Sequence, residues 1–253
     1  MQIMISPAKN MCRQPPTALP PGWQCTVPHF SRQPLQLARA LKKLDPWQLE
    51  QLMHINPQLA LRAYDDFQHF SDGCPPVPAL LCYQGLQYKN IDPATLDTAE
   101  IHFLQQRLYI VSALYGLLRP CDGVRPYRLE MGLRWHPTGG KDLYAYWGGA
   151  LCRQLFSHRQ PVLDLASKEY SRAIVPYLAA RHQLISCDFL VSRSGGLKTV
   201  ATIAKQARGQ MVRFIAQNQI DDPLALKAFS WQGFAFAPAL STLDRLVFVR
   251  QAP

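Results

Sequence analysis

Arginine, tyrosine and carboxylate side chains alternate near the middle of the chain. Neither an apolar run nor a clean periodicity explains this segment, so burial alone does not account for it. Guanidinium groups among ring residues are typical of sites for planar or phosphorylated ligands. An internal ion pair between Arg128 and Glu130 that holds a loop is the alternative. The residues concerned are Tyr115, Arg119, Arg125, Tyr127, Arg128, Glu130 and Arg134.

Polar side chains also follow several predicted strands. Open α/β sheets bind ligands at the carboxyl ends of their strands, so residues at such ends could converge on one cleft. For each residue alone, a helix cap or a solvated loop tip is the alternative. The residues are Ser6 and Lys9, Tyr83, Tyr115 with Arg119, and Ser167 with Lys168 and Glu169.

A second basic group lies towards the carboxyl end of the chain and contains Lys198, Lys205, Arg208 and Arg213. Lys205 and Arg208 are near the start of a predicted helix and share one face of it. The free N–H groups of that helix terminus and the two cations could together hold a phosphate. A solvated basic helix face is the alternative. The chain has neither a Walker loop nor a GxGxxG motif, so the usual modes of ATP or dinucleotide binding are unsupported.

Carboxylates are the better candidates for catalysis, because the chain has no GxSxG elbow and no evident nucleophilic cysteine. A carboxylate among cations stays ionised and could orient water or stabilise an oxocarbenium-like charge. We rank Glu169 and Glu130 first among four candidates that also include Asp142 and Asp164. An ion-pair role is the alternative for each. Cysteine and histidine spacings match no disulfide framework or zinc site, so we expect no metal and no other cofactor.

The composition is that of a globular protein with a large core, since 48% of the 253 residues are hydrophobic and 17% are charged. A formal net charge of +10 favours polyanionic partners, although a solvated basic surface gives the same balance. No apolar run is long enough to span a membrane, and the first residues predict a buried strand rather than a signal peptide. We therefore expect a cytoplasmic protein without membrane contact.

Strand and helix patterns alternate along the chain, without repeats or a shift in composition. They predict one α/β domain over residues 1–253, with a mixed sheet flanked by helices. The expected strands are residues 2–5, 79–83, 108–114, 161–166, 184–191, 198–203 and 246–249. The expected helices are two segments from Leu35 separated at Asp45-Pro46, then residues 57–70, 98–106, 141–156 and 204–218, and a short helix capped by Ser167.

Six motifs occur in order over nearly the whole chain. They are Ser6-Pro7-Ala8-Lys9, residues 114–120, residues 126–132, Lys141-Asp142-Leu143-Tyr144, residues 165–167 with Glu169-Tyr170, and Lys205 with Ala207-Arg208-Gly209. Together they resemble the YaaA family, also called DUF328 or UPF0246. The resemblance implies one α/β domain with a basic cleft and a helix-hairpin-helix-like element, DNA binding, and a role in peroxide stress that lowers free iron. It also extends to members that hydrolyse the N-glycosidic bond of a nucleotide-like compound.

The sequence departs from the stress-protein pattern of that family at four places. Gln84-Gly85-Leu86 stands where the pattern has Lys-Gly-Asp, and Lys168 stands where it has an acidic residue. Ile203 replaces an aromatic residue and Asn10 replaces a threonine. Changes of charge beside preserved motifs favour an altered ligand, and hence a specialised paralogue.

With this resemblance, the leading hypothesis is an enzyme that hydrolyses the N-glycosidic bond of a nucleoside 5′-phosphate-like substrate without a cofactor. The rival is a non-catalytic, DNA-binding peroxide stress protein that limits free iron, and a third hypothesis is a binding module for a nucleotide signal. In the enzyme, Lys205, Arg208, Lys9 and Arg128 would hold the phosphate, Tyr115 and Tyr127 would orient the base, and Glu169 or Glu130 would position water. The sequence leaves the oligomeric state open.

Overall fold

A computed structural model describes residues 1–14, 16–71 and 76–250 of the chain. The strands are β1 (Gln2–Ile5), β2 (Asn10–Met11), β3 (Val77–Pro78), β4 (Tyr83–Gln84), β5 (Leu108–Ser112), β6 (Gly116–Leu118), β7 (Gly123–Val124), β8 (Val162–Leu165), β9 (Leu184–Arg193), β10 (Gly196–Lys198), β11 (Phe234–Phe236) and β12 (Arg245–Arg250). The α-helices are α1 (Arg32–Leu41), α2 (Pro46–Met53), α3 (Pro57–Gln68), α4 (Ala79–Cys82), α5 (Leu86–Ile91), α6 (Thr98–Arg107), α7 (Leu143–Trp147), α8 (Ala150–Leu155), α9 (Lys168–Ser171) and α10 (Ala201–Gln217).

A mixed sheet forms the centre of the molecule, with the order β11-β12-β9-β8-β1-β5-β6 and with β10 paired to β9. Its five central strands, β12, β9, β8, β1 and β5, run parallel, whereas β6 and β11 are antiparallel edge strands. Two small two-stranded sheets, β2-β4 and β3-β7, lie apart from it. The predicted single α/β domain with a mixed sheet flanked by helices is therefore confirmed.

The central strands are apolar because both of their faces are covered. Every residue of β1 and of β5 is buried, as expected for parallel strands packed between helices. Along β9 buried and half-buried residues alternate, and α10 packs against this strand. The described residues build one continuous hydrophobic core.

Capping residues set the start of the helices near the amino end of the chain. Asp45 forms a capping box with Gln48, and Pro46 occupies the first helical position, as the Asp45-Pro46 pair predicted. Asn56 caps α3 by accepting a hydrogen bond from the Leu59 backbone. None of the helices in the described part of the chain is both long enough and apolar enough to cross a bilayer.

Three sequence-based element predictions are wrong in part. Residues 79–82 form a helical turn, α4, rather than a strand, and Tyr83 begins β4. A short buried apolar run carries no periodicity that separates a helix from a strand. The helix expected at 141–156 is interrupted at Gly148, whose φ of +48° ends α7. The second strand of the hairpin ends at Lys198, and α10 already begins at Ala201.

A close crossing of α5 and α10 fixes the wall of the cleft described below. Gly209 lies against the Gln87 carbonyl oxygen, which would be only 2.2 Å from a Cβ atom at this position. A glycine is therefore required for the two backbones to approach. The crossing places Arg208 on α10 beside Gln87 on α5.

Candidate functional site

A cleft of about 300 Å³ opens at the carboxyl ends of β1 and β8. The parallel register pairs Ile5 with Leu165, so Ser6 and Ser167 follow these strands side by side. The Ser167 backbone N–H donates to Ser6 Oγ over 2.8 Å. This is the edge at which open α/β sheets carry ligand sites.

Segments distant in the sequence supply the other walls of the cleft. Besides the two serines, its lining includes Lys9 and Asn10 after β1, Gln84 to Tyr88 on β4 and α5, Tyr127 to Glu130, Glu169 and Tyr170 on α9, and Lys205 and Arg208 on α10. Four cations, two carboxylates and three tyrosine rings thus face one space. Its volume is at the lower end of the range for small-molecule sites.

The three cleft tyrosines present rings, because their hydroxyls are bonded to the protein. Tyr127 Oη lies 2.7 Å from both Tyr83 Oη and Ser112 Oγ, and Tyr88 Oη donates to the Ser6 carbonyl over 2.9 Å. Burial raises the pKa of Tyr127 to about 12 and the pKa of Tyr170 well above its usual range. These hydroxyls stay protonated at neutral pH, and the rings form an apolar surface for a planar group.

The two cleft carboxylates have different partners. Glu130 Oε2 accepts from Lys9 Nζ over 2.7 Å, and its Oε1 lies 3.8 Å from an Arg128 terminal nitrogen. Glu169 Oε1 instead accepts one hydrogen bond, of 3.0 Å, from the Gly132 backbone N–H. Glu130 is thus held by two cations, whereas Glu169 is held by one neutral donor. The Arg128–Glu130 pair considered from the sequence exists, but the Lys9–Glu130 contact is the closer one.

Several hydrogen-bond donors in the cleft have no acceptor among the described residues. They are the Nε–H groups of Arg128 and Arg208 and the side-chain amide of Gln87, which is only 6% exposed. Arg208 forms no hydrogen bond or ion pair within that part of the chain, and the carboxylates that act on its charge are Asp164 and Asp188. Buried donors are normally satisfied, so an incompletely bonded guanidinium and amide on one wall indicate a ligand with acceptor oxygens.

Asp164 lies on β8 and interacts electrostatically with Arg208. Its carboxylate accepts from Ser171 Oγ over 2.6 Å and from the Ala166 backbone over 2.8 Å. Burial nevertheless raises the pKa of Asp164 to about 6, and the positive charge of Arg208 offsets only part of this effect. At neutral pH Asp164 is mostly ionised, so it compensates part of the Arg208 charge without a hydrogen bond to this arginine among the described residues.

The structure brings together most of the residues that the sequence singled out. Ser6, Lys9, Tyr127, Arg128, Glu130, Ser167, Glu169, Lys205 and Arg208 all line the cleft. Arg213 and Lys198 do not, although they belong to the same predicted basic group. Arg213 donates to the Ile91 carbonyl and to Thr95 Oγ1, both over 2.9 Å, and Lys198 lies exposed in the β9-β10 hairpin.

Four predicted site residues lie outside the cleft. Asp142 caps α7 by accepting from the Ala145 backbone over 2.8 Å. Tyr83 and Tyr115 are buried behind Tyr127, where Tyr115 Oη accepts from the Arg125 backbone over 3.0 Å. Arg119 follows β6, which runs antiparallel to β5, so this residue lies at the opposite edge of the sheet. The prediction that Arg119 lies at the carboxyl edge is wrong, because the sequence does not reveal that β6 runs antiparallel.

Gln87, Tyr88 and Asn10 line the cleft but were not predicted as site residues. Gln87 and Tyr88 belong to α5, a helix of one and a half turns that the hydrophobic pattern did not indicate. Asn10 was noticed only as a departure from the family pattern. No group of three or more His, Cys, Asp or Glu side chains able to hold a metal ion occurs in the residues that the structure describes.

Comparison with known proteins gives one consistent family. The family model described as "Peroxide stress protein YaaA" matches residues 1–240. A UPF0246 protein of Lactiplantibacillus plantarum is 39% identical over 251 residues, which cover 99% of this chain and 100% of the relative. A UPF0246 protein of Delftia acidovorans is 38% identical over 261 residues, with 99% of each chain covered. A third, from Cereibacter sphaeroides, is 38% identical over 256 residues with the same coverage. The chain therefore belongs to the YaaA (UPF0246) family.

Proposed function

We propose that the cleft binds a phosphorylated nucleoside-like ligand and hydrolyses its N-glycosidic bond. The observation that carries the binding part is Arg208, a partly buried guanidinium without a hydrogen-bond acceptor in the described residues. Lys205, Gln87 and Arg208 lie on adjoining helices and would donate to the oxygens of one phosphate. Charge-assisted hydrogen bonds of this kind are about twice as strong as neutral ones.

The tyrosine rings suit the base and the sugar of such a ligand. Tyr88, Tyr127 and Tyr170 face the same cleft, with their hydroxyls bonded elsewhere. Stacking of a base on an aromatic ring is worth about 1 to 3 kcal/mol. A ligand with a planar base at one end and a phosphate at the other would use both the rings and the basic wall.

Glu169 is the carboxylate that we assign to the chemistry. Its one neutral donor leaves an oxygen available to position water, whereas both oxygens of Glu130 face cations. Water would attack the anomeric carbon as the carbon–nitrogen bond breaks, and the base would leave with the bonding electrons and take up a proton. Glu169 would stabilise the positive charge on the sugar and accept the water proton. Glu130 would hold Lys9 and Arg128 in place.

Release of free base from a panel of nucleoside 5′-monophosphates, followed by chromatography, tests this proposal. Glu169→Gln should lower turnover by about 10² to 10⁴-fold, the usual contribution of a positioned general base. Asp142→Asn is the matched control, because asparagine also caps helices and Asp142 lies outside the cleft. Unchanged turnover in Glu169→Gln would remove the catalytic assignment, and no base release from any nucleotide by the wild-type protein would remove the enzyme.

The second candidate is a non-catalytic DNA-binding protein of the peroxide response. The name of the matching family model supports only the peroxide-stress part of this candidate. Two further depressions adjoin the cleft at Lys9 and Arg128 and would extend a surface for a polyanion. It requires duplex binding that weakens steeply with salt, because released counterions dominate such affinities. A mononucleotide site requires only a shallow salt dependence, so titration at two salt concentrations separates the candidates. A cytoplasmic location is part of either proposal.

A further inference from the structure

A second basic depression, here called the side groove, continues from the cleft. It has a volume of about 280 Å³ and shares Lys9, Asn10, Gln84, Tyr127 and Arg128 with the cleft. Its own walls are Met11, Arg13, Leu59, Arg62 and Ala63, from β2, the following loop and α3. A ligand anchored at Arg208 could therefore extend into the side groove past Arg128.

Among the residues that the structure describes, four cations and no carboxylate line the side groove. Arg13 forms an ion pair with Asp66, so its charge is largely compensated. Arg62 is exposed and has no ion-pair partner among the residues that the structure describes. Lys9 shares Glu130 with Arg128, and the closer contact is the one with Lys9. Arg62 and Arg128 thus leave uncompensated positive charge at this end.

Arg128 is the residue that joins the two spaces. Its side chain is only 14% exposed, its Nε–H has no acceptor within the described residues, and its contact with Glu130 is 3.8 Å long. A guanidinium so placed is well suited to receive a phosphate oxygen. The third depression, at Lys9, is less basic than the side groove, because Glu130 and Glu169 line it and neither lines the side groove.

We propose that the natural ligand carries a second phosphate, attached on the sugar side away from the first, which binds between Arg128 and Arg62 in the side groove. This inference rests on the proposed binding of a nucleoside 5′-phosphate in the cleft. The second phosphate is either a terminal group, as in a nucleoside 3′,5′-bisphosphate, or a phosphodiester, as in a 5′-phosphorylated dinucleotide. A nucleoside 5′-monophosphate would fill only the cleft.

Isothermal titration of the full-length protein with three ligands of the same base tests the inference. The ligands are the 5′-monophosphate, the 3′,5′-bisphosphate and the 5′-phosphorylated dinucleotide, taken in turn for each common base. We expect the bisphosphate or the dinucleotide to bind about tenfold or more tightly than the monophosphate, the usual effect of one charge-assisted contact. Whichever of the two binds more tightly identifies the source of the second phosphate.

Arg62→Gln should lower this affinity ratio towards one. Arg39→Gln, which changes an exposed arginine of α1 away from both spaces, is the matched control and should keep the ratio. Equal affinities for all three ligands would contradict the second phosphate site but would agree with the proposed binding of a nucleoside 5′-phosphate in the cleft. A 5′-phosphorylated trinucleotide that binds still more tightly than the dinucleotide would overturn it in favour of a polynucleotide. Failure of every ligand to bind would contradict both proposals.

Discussion

Arginines at the two edges of the central sheet have opposite surroundings. At the carboxyl edge, Arg128 and Arg208 line the cleft with Nε–H groups that lack an acceptor in the described residues. At the amino edge, Arg107 and Arg119 border a depression of about 340 Å³ and donate hydrogen bonds to protein acceptors. Each edge carries a depression lined by arginines, so such a depression alone does not identify a binding site.

The amino-edge arginines stabilise the fold. Arg119 donates to the Gln105 carbonyl and to Tyr109 Oη, both over 2.7 Å, and lies over the Tyr109 ring at 4.5 Å. Arg107 donates to both carboxylate oxygens of Asp221 over 3.2 and 3.1 Å. The hydrogen bonds from Arg107 hold the pKa of Asp221 at about 2.

Whether the N–H groups of a guanidinium have acceptors in the protein therefore distinguishes a structural arginine from a candidate binding arginine. A guanidinium whose donors all face protein acceptors has little to offer a ligand. One that is partly buried without such acceptors carries a desolvation cost in the free protein, which a bound anion would offset. Substitutions at the carboxyl edge should therefore change ligand affinity, whereas substitutions at the amino edge should change the free energy of unfolding.

The largest effect is expected at Arg208. Arg208→Met keeps the aliphatic stem and removes the charge, so the affinity for a nucleoside 5′-monophosphate should fall roughly 100-fold, from the loss of contacts worth about 2 to 3 kcal/mol. Because the guanidinium has no acceptor within the described residues, the unfolding free energy of the unliganded protein should not fall. Calorimetric titration and urea denaturation measure the two quantities. A less stable variant with normal affinity would make Arg208 structural.

Arg119→Met should show the reverse pattern. It leaves the Gln105 carbonyl and the Tyr109 hydroxyl without their donor and removes the ring contact, so the unfolding free energy should fall by roughly 2 kcal/mol. Nucleotide affinity should stay at the wild-type value, since this residue lies at the other edge. Weakened binding in a variant of unchanged stability would show that the comparison of the two edges is mistaken.

Asp164, near the carboxyl edge, should make the free energy of unfolding depend on pH. Burial raises the pKa of Asp164 from 3.8 to about 6 in the folded state, so the folded protein holds this proton more tightly than the unfolded chain. This contribution to stability is present at low pH and is lost as pH rises from about 4 to about 6, by roughly 3 kcal/mol. The difference in urea midpoint between wild type and Asp164→Asn should change over this interval. A difference in urea midpoint that does not change with pH would contradict the raised pKa of Asp164.

The smallest effect is expected at Gln87. Gln87→Met preserves the size of the side chain and removes its neutral donor, so nucleotide affinity should fall about fivefold. The stability of the unliganded protein should stay the same or rise, because a buried amide without an acceptor in the described part of the chain is removed. Thermal denaturation with and without nucleotide gives both values. A clear loss of unliganded stability would show that Gln87 serves the fold.

Strand patterns and motifs were enough to predict the sheet and the meeting of Ser6, Lys9, Ser167 and Glu169 at one edge. Ser6 and Ser167 meet because they follow β1 and β8, which are parallel neighbours in the sheet. The prediction is wrong for Arg119, since a short apolar run such as β6 does not reveal its direction. The sequence does not predict Gln87 as a site residue. Its side-chain amide has no acceptor among the described residues because of the way α5 and α10 cross at Gly209, and this crossing cannot be read from the sequence.

The tyrosines show a second limit of sequence reasoning. Tyr115 and Tyr127 both belong to the arginine-rich segment of the sequence, and nothing in that segment ranks one above the other. Only Tyr127 reaches the cleft, whereas Tyr115 packs behind it and accepts a backbone hydrogen bond from Arg125. The order of layers behind a site depends on packing that no local pattern encodes.

The central claim is that the carboxyl-edge cleft holds a phosphate through donors that the protein itself leaves without acceptors. Titration of the wild-type protein with a nucleoside and with its 5′-monophosphate tests this claim most directly. The account predicts that the monophosphate binds at least tenfold more tightly, and that Arg208→Met abolishes this difference. Equal affinities for the nucleoside and the monophosphate would contradict it.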